Sequence, residues 1–116
     1  MTELSAHDLL TTERRTTLAR IAALSTEFDD IVAVTEGANA DDEHDPEGST
    51  IAFERARVSA LLSQARAYLE ELEAAESRIA AGTYGACEHC GAAIPPERLE
   101  ALPTARTCVR CRPTAA

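Results

Sequence analysis

Residues 82–111 read GTYGACEHCGAAIPPERLEALPTARTCVRC, and two short pieces of that stretch, Cys87-Glu88-His89-Cys90 and Cys108-Val109-Arg110-Cys111, decide how this part of the chain folds. They contain all four cysteines of the protein, as two Cys-x-x-Cys pairs with residues 91–107 between them. Two residues between thiols let one tight turn aim both sulfurs at a single point. A second such turn alongside completes the tetrahedron that Zn²⁺ takes in a closed structural site. Gly91, directly after the first pair, supplies the positive φ that such a turn needs. The spacing predicts a zinc ribbon or a pair of zinc knuckles held by Cys87, Cys90, Cys108 and Cys111. With four sulfurs available, His89 is expected to be a bystander.

Two other uses of the thiols stay open at this point. Paired disulfides belong to oxidising compartments, but Met1 to Leu10 is acidic and short in apolar run, unlike a signal peptide. The expected location is therefore cytoplasmic. A redox Cys-x-x-Cys normally opens a helix after a strand in a larger α/β domain. A closed four-sulfur site has no open position for water or substrate, so its metal holds a fold rather than performing catalysis, and no enzymatic activity is expected.

Composition bounds the remainder. The chain has 116 residues, a formal net charge of −9 and only two phenylalanines and two tyrosines. Alanine, leucine, glutamate and arginine favour helix over a large aromatic core. There is no lysine, and residues 1–81 hold seven arginines against seventeen acids. Residues 82–116 hold four arginines against three acids, and four thiolates with one Zn²⁺ add two negative charges. No basic footprint for phosphates remains, so direct DNA binding is disfavoured. No apolar stretch is long enough to span a bilayer as a helix.

The apolar rhythm gives the architecture. From about Ser5 to Glu36, Leu10, Thr17, Ile21, Leu24, Phe28 and Ile31 recur at steps of three and four, with Arg14 in the gap; Leu18 and Val32 widen the stripe. Ser5 and Asp8 resemble a capping box. From about Gly48 to Ala81, Ile51, Val58, Leu62, Ala65, Leu69, Leu72 and Ile79 keep the same rhythm. Asp45-Pro46 suits the start of this helix and Gly82 its stop. Neither stripe is buried by its own helix, so the two are expected to fold back antiparallel as a coiled-coil hairpin. At ~1.5 Å per residue, ~30 residues of each give a rod of roughly 45 Å. The apolar stripes suffice for one hairpin, which predicts a monomer. The expected fold is mainly α: a hairpin over 1–81 with a tip loop at about 37–48, then a zinc-finger module over 82–116.

The tip is the second informative place. Glu36 to Glu47 reads EGANADDEHDPE, six acids with one lone His44. A solvated loop whose acids favour the next helix N-terminus accounts for one or two of them. Six packed together repel one another, and suit a negative tip offered to a basic or metal-containing site on a partner. The spacing does not follow an EF-hand loop.

Residues 82–111 resemble the DksA/TraR family of bacterial transcription regulators. That family's finger has an acidic residue after the first Cys, then Ile, Arg and Pro at fixed steps before the closing Cys-x-x-Cys. Here Cys87, Glu88, Cys90, Ile94, Arg98, Pro103, Cys108 and Cys111 hold those places, and Gly82-Thr83-Tyr84-Gly85 resembles the approach to the finger. The resemblance implies a protein that binds bacterial RNA polymerase rather than DNA, inserting its coiled coil into the secondary channel. Acidic tip residues then act near the catalytic Mg²⁺, often together with guanosine tetraphosphate. Carried onto this chain, the tip is Asp41, Asp42, Glu43, Asp45 and Glu47. Better-studied members carry Asp-x-x-Asp-x-Ala there. Here Asp45 matches the first Asp, while Gly48 and Thr50 replace the second Asp and the Ala. Only Arg112 to Ala116 follow the last Cys, so the C-terminal helix of some members, and its alarmone contacts, are not expected. Arg98 and Arg106 are expected to be structural or rim contacts. A zinc-capped coiled-coil adaptor that docks through the sides of its rod is the competing reading.

Overall fold

Two long amphipathic segments rich in Ala, Leu, Glu and Arg should form helices, and both do. The computed structural model describes residues 3–38 and 46–111, with side chains at 6–34 and 50–111. Its elements are α1 (Glu3–Ala38), α2 (Pro46–Ala81) and α3 (Pro96–Ala101). Pro46 opens α2, as its fixed φ and missing N–H favour at a first helical position. The capping-box reading of Ser5 is corrected. α1 begins at Glu3, so Ser5 lies inside the helix rather than flanking it. An acid in the first turn is favoured by the helix dipole, which suits a start at Glu3. Gly37 and Gly48 are helical as well. One glycine costs a helix only about 1 kcal/mol relative to alanine, too little to stop it by itself.

The chain divides into two compact units, one of Thr16–Tyr68 and one of Met1–Arg15 with Leu69–Ala116. In the first, Leu24, Val58, Leu62 and Ala65 are buried, and Ile21, Phe28, Ile31 and Leu61 pack against them. The helices run antiparallel here. Glu27 of α1 meets Arg57 of α2 at 3.4 Å, while Ile31 and Val34 share a groove with Thr50 and Ile51. Thr17 fills its place on the stripe and is buried. Leu18 does not widen it, being 45% exposed. One residue along a helix turns about 100°, which carries Leu18 off the buried face.

In the other unit, Ala6, Leu10, Leu72 and Ala75 are almost completely buried. Exposed Arg14 and half-buried Glu76 pair at 3.9 Å across the two helices. α2 ends where the sequence indicated. Gly82 takes φ 78°, its N–H bonds to the Ile79 carbonyl (3.1 Å), and the Thr83 N–H bonds back to Arg78 (2.9 Å). This is a Schellman stop, in which a left-handed residue lets the next N–H groups satisfy the last helical carbonyls. The Tyr84 N–H also reaches the Arg78 carbonyl, at 3.2 Å. Beyond it lies a second small core of Cys87, Ile94, Leu99, Ala105 and Cys108, with Tyr84 and Cys111 against it. Among the described residues no helix is long and apolar enough to cross a membrane.

Candidate metal centre

Each cysteine pair sits on a tight turn whose backbone closes on itself. In the first, the Gly91 N–H bonds to the Cys87 carbonyl at 2.9 Å and the Cys87 N–H to Ala92 at 2.8 Å. Gly91 has φ 76°, and a Cβ built there would meet no atom within 4 Å. Glycine is therefore required by backbone conformation rather than by space. Ala86 and Ala93 form an isolated antiparallel bridge across the base of this turn. In the second, the Cys111 N–H bonds to the Cys108 carbonyl at 3.1 Å.

The connection between the turns carries α3, which the sequence reading did not anticipate. Its signal is Pro95-Pro96-Glu97, a proline at the start of a helix followed by an acid in the first turn. Leu99 points from α3 into the core that holds Cys87 and Cys108. The Glu88 N–H then bonds to the Arg106 carbonyl at 2.9 Å, which draws the second turn alongside the first.

All four cysteines are free thiols, and their sulfurs lie within 4.8 Å of one another. The Cys90 and Cys108 sulfurs are 3.7 Å apart. Four sulfurs about 2.3 Å from one Zn²⁺ at tetrahedral angles stand about 3.8 Å from each other, so the spacing fits one zinc ion. The donor set fits too, since thiolates select soft and borderline metals. This is a C4 zinc site capable of holding one metal ion. His89 is exposed and outside the cluster.

The thiols differ in acidity. Backbone N–H groups of Cys90 and then Cys108 stabilise the Cys87 thiolate and bring its pKa down to about 6. Cys108 is lowered too, chiefly by the backbone N–H of Cys111. Cys111 is pushed up to about 12, first by burial and then by its neighbouring thiols. A bound cation reverses that last preference, because a coordinating thiol is deprotonated outright.

Four side chains brace the centre without touching the sulfurs' shared point. The Tyr84 hydroxyl donates to the Pro103 carbonyl (2.9 Å) and Arg78 Nη2 to the Thr104 carbonyl (3.3 Å). Arg98 Nε donates to the Thr107 carbonyl at 3.1 Å. Arg106 reaches Glu71 of α2 at 3.1 Å and Glu88 of the first turn at 3.5 Å. The sequence singled out Arg98 and Arg106, and both have structural partners here. It missed Arg78, and it placed Tyr84 in the approach to the finger without its bracing role, because a side chain that serves a distant backbone carbonyl leaves no spacing signature. Of the tip residues, Asp41, Asp42, Glu43 and Asp45 lie outside the described residues. Glu47 falls in the first turn of α2, with its side chain outside them.

Residues 82–114 match the prokaryotic dksA/traR C4-type zinc finger. The chain is 46% identical over 66 residues to the uncharacterized protein YteA of Bacillus subtilis, covering 57% of this chain and 28% of that one. It is 38% identical over 79 residues to general stress protein 16O of the same organism, covering 68% of this chain and 48% of that one. It thus spans under half the length of these curated relatives. The fold superimposes on transcription factor DksA2 from Pseudomonas aeruginosa with a TM-score of 0.78 and 26% identity, over 93% of this chain and 78% of that one.

Proposed function

We propose that this chain, whose residues 82–114 match the dksA/traR C4-type zinc finger, belongs to that family and is a regulator that acts on bacterial RNA polymerase in the cytoplasm. Its helical hairpin enters the secondary channel and presents Asp41, Asp42, Glu43, Asp45 and Glu47 to the catalytic region. The observation that carries this reading is the likeness to a transcription factor over nearly the whole chain, hairpin and finger together. The charge agrees: an acidic chain without a basic footprint suits a protein partner rather than DNA.

Cys87, Cys90, Cys108 and Cys111 would hold one Zn²⁺ in this reading. The ion supplies no reaction; it ties the two turns together. Arg106 and Glu71 join the finger to α2 through their ion pair. The chain acts by occupying a site, with no enzymatic step of its own.

The test is binding of the zinc-loaded protein to core and holoenzyme in competition with a known secondary-channel ligand, with and without guanosine tetraphosphate. Competition that Asp45→Ala weakens is the expected result. Binding without competition, or none at all, would overturn the channel reading. A second reading is favoured by one observation, a groove of about 320 Å³ on the side of the hairpin lined by Ile31, Val34, Thr50 and Ile51 together with the acids Glu27, Asp30 and Glu54. Such a groove suits an adaptor that docks through its side face. Such an adaptor loses binding on Ile51→Asp and keeps it on Asp45→Ala.

A further inference from the structure

The segment between α3 and Cys108, residues 102–107, is held from outside at four of its six carbonyls. Pro103 accepts from Tyr84, Thr104 from Arg78, Arg106 from the Glu88 N–H, and Thr107 from Arg98. Three of these donors lie near the end of α2 or in the first turn. Arg98 differs, because it belongs to the connection between the two cysteine pairs and bonds the residue directly before Cys108. Its own place is fixed. α3 starts on two prolines, the Arg98 N–H bonds to Pro95 (3.0 Å), and Leu99 beside it is buried with Cys87 and Cys108.

We infer that Arg98 is a positioning residue for the metal, setting where the Cys108 sulfur stands relative to the first pair. The inference rests on reading the four cysteines as one zinc site. A metal's affinity depends on how well its ligands are arranged before it arrives. Groups that orient ligands without touching the ion typically change affinity 10- to 100-fold when removed. Without the Nε donor, the part-buried Thr107 carbonyl loses its partner, and the turn carrying Cys108 is free to shift. A single Nε–H makes the bond, so the position of the donor and the charge of the guanidinium it belongs to can be tested apart.

Two substitutions separate those terms. Arg98→Met keeps an unbranched stem and removes the donor. Arg98→Gln places an amide nitrogen the same number of bonds from the backbone as Nε, without charge. Zinc affinity is read on the full chain by competition with a chromogenic chelator, and site geometry by the visible absorption of the Co²⁺-substituted protein. The expected result is a 10- to 100-fold weaker zinc affinity for Arg98→Met with an altered Co²⁺ spectrum. Arg98→Gln returns both to near the values of the unchanged chain. Equal affinities in all three proteins would overturn the inference, as would a Gln variant as weak as the Met variant. If the Met variant does not fold, the Gln variant decides: a loss of tenfold or more refutes the positioning role. Failure of the unchanged chain to bind zinc or Co²⁺ would instead remove the zinc reading itself.

Discussion

Arg106 and Glu71 form a two-pronged ion pair, Nε to Oε2 at 3.1 Å and Nη2 to Oε1 at 3.3 Å, between the finger and α2. The Glu71 bond is the main reason the Arg106 guanidinium is held above its ordinary pKa. The side chains are 40% and 45% exposed, however, and water screens pairs of this kind. Arg106→Ala is therefore expected to cost no more than about 1 kcal/mol. Denaturant unfolding at low and high salt checks this, with the difference between the proteins shrinking as salt rises.

Cys90→Ser removes one of four thiolates. Structural zinc binding is worth roughly 10–16 kcal/mol in small finger peptides, and much of that is folding free energy. Zinc content should fall well below one per chain and the finger should lose its cooperative melt. An unchanged zinc content together with unchanged melting would refute the structural role of the metal.

Tyr84→Phe deletes the hydroxyl that bonds Pro103 and should cost about 1 kcal/mol, seen as a lower denaturation midpoint. Burial raises the Tyr84 pKa above its ordinary value near 10, against a smaller lowering by Arg78. The folded state thus favours the protonated phenol. The resulting stability is fully present below the ordinary tyrosine value and lost as pH rises through the elevated one. Alkaline unfolding of the unchanged chain should coincide with a late rise in tyrosinate absorbance that Tyr84→Phe lacks.

In the hairpin, Leu62→Ala opens a cavity at a buried position and should cost about 2–5 kcal/mol. Leu18→Ala, on an exposed face, should stay within about 0.5 kcal/mol. Circular dichroism melts of the two variants make the comparison, and equal effects would contradict the assignment of the buried stripe.

Much of this architecture was legible in the sequence, for identifiable reasons. A helical stripe has a period, so Leu10, Thr17, Leu24, Val58, Leu62 and Leu72 announced themselves as buried. Cys-x-x-Cys has a spacing, so the metal centre could be read from four residues. Gly82 and Gly91 were legible because only glycine adopts their backbone conformation at little cost. Leu18 was misread because a window of apolar residues does not say where its edge falls. Ser5 was misread because a capping pattern is short enough to recur inside a helix. α3 went unseen for its brevity: six residues give fewer than two turns and no period to detect. The bracing by Arg78 and Tyr84 was invisible because it joins residues nearly twenty or more positions apart through backbone oxygens.

In each cysteine pair the first residue belongs to the core and the second is less covered: Cys87 and Cys108 are buried, Cys111 is half-buried and Cys90 is exposed. The centre therefore has a floor and a doorway. An ion arriving from solution would meet Cys90 first, and a chelator would approach from that same side. Solution thus has access to the four-cysteine centre mainly from one side, past Cys90, while Cys87 and Cys108 close the other.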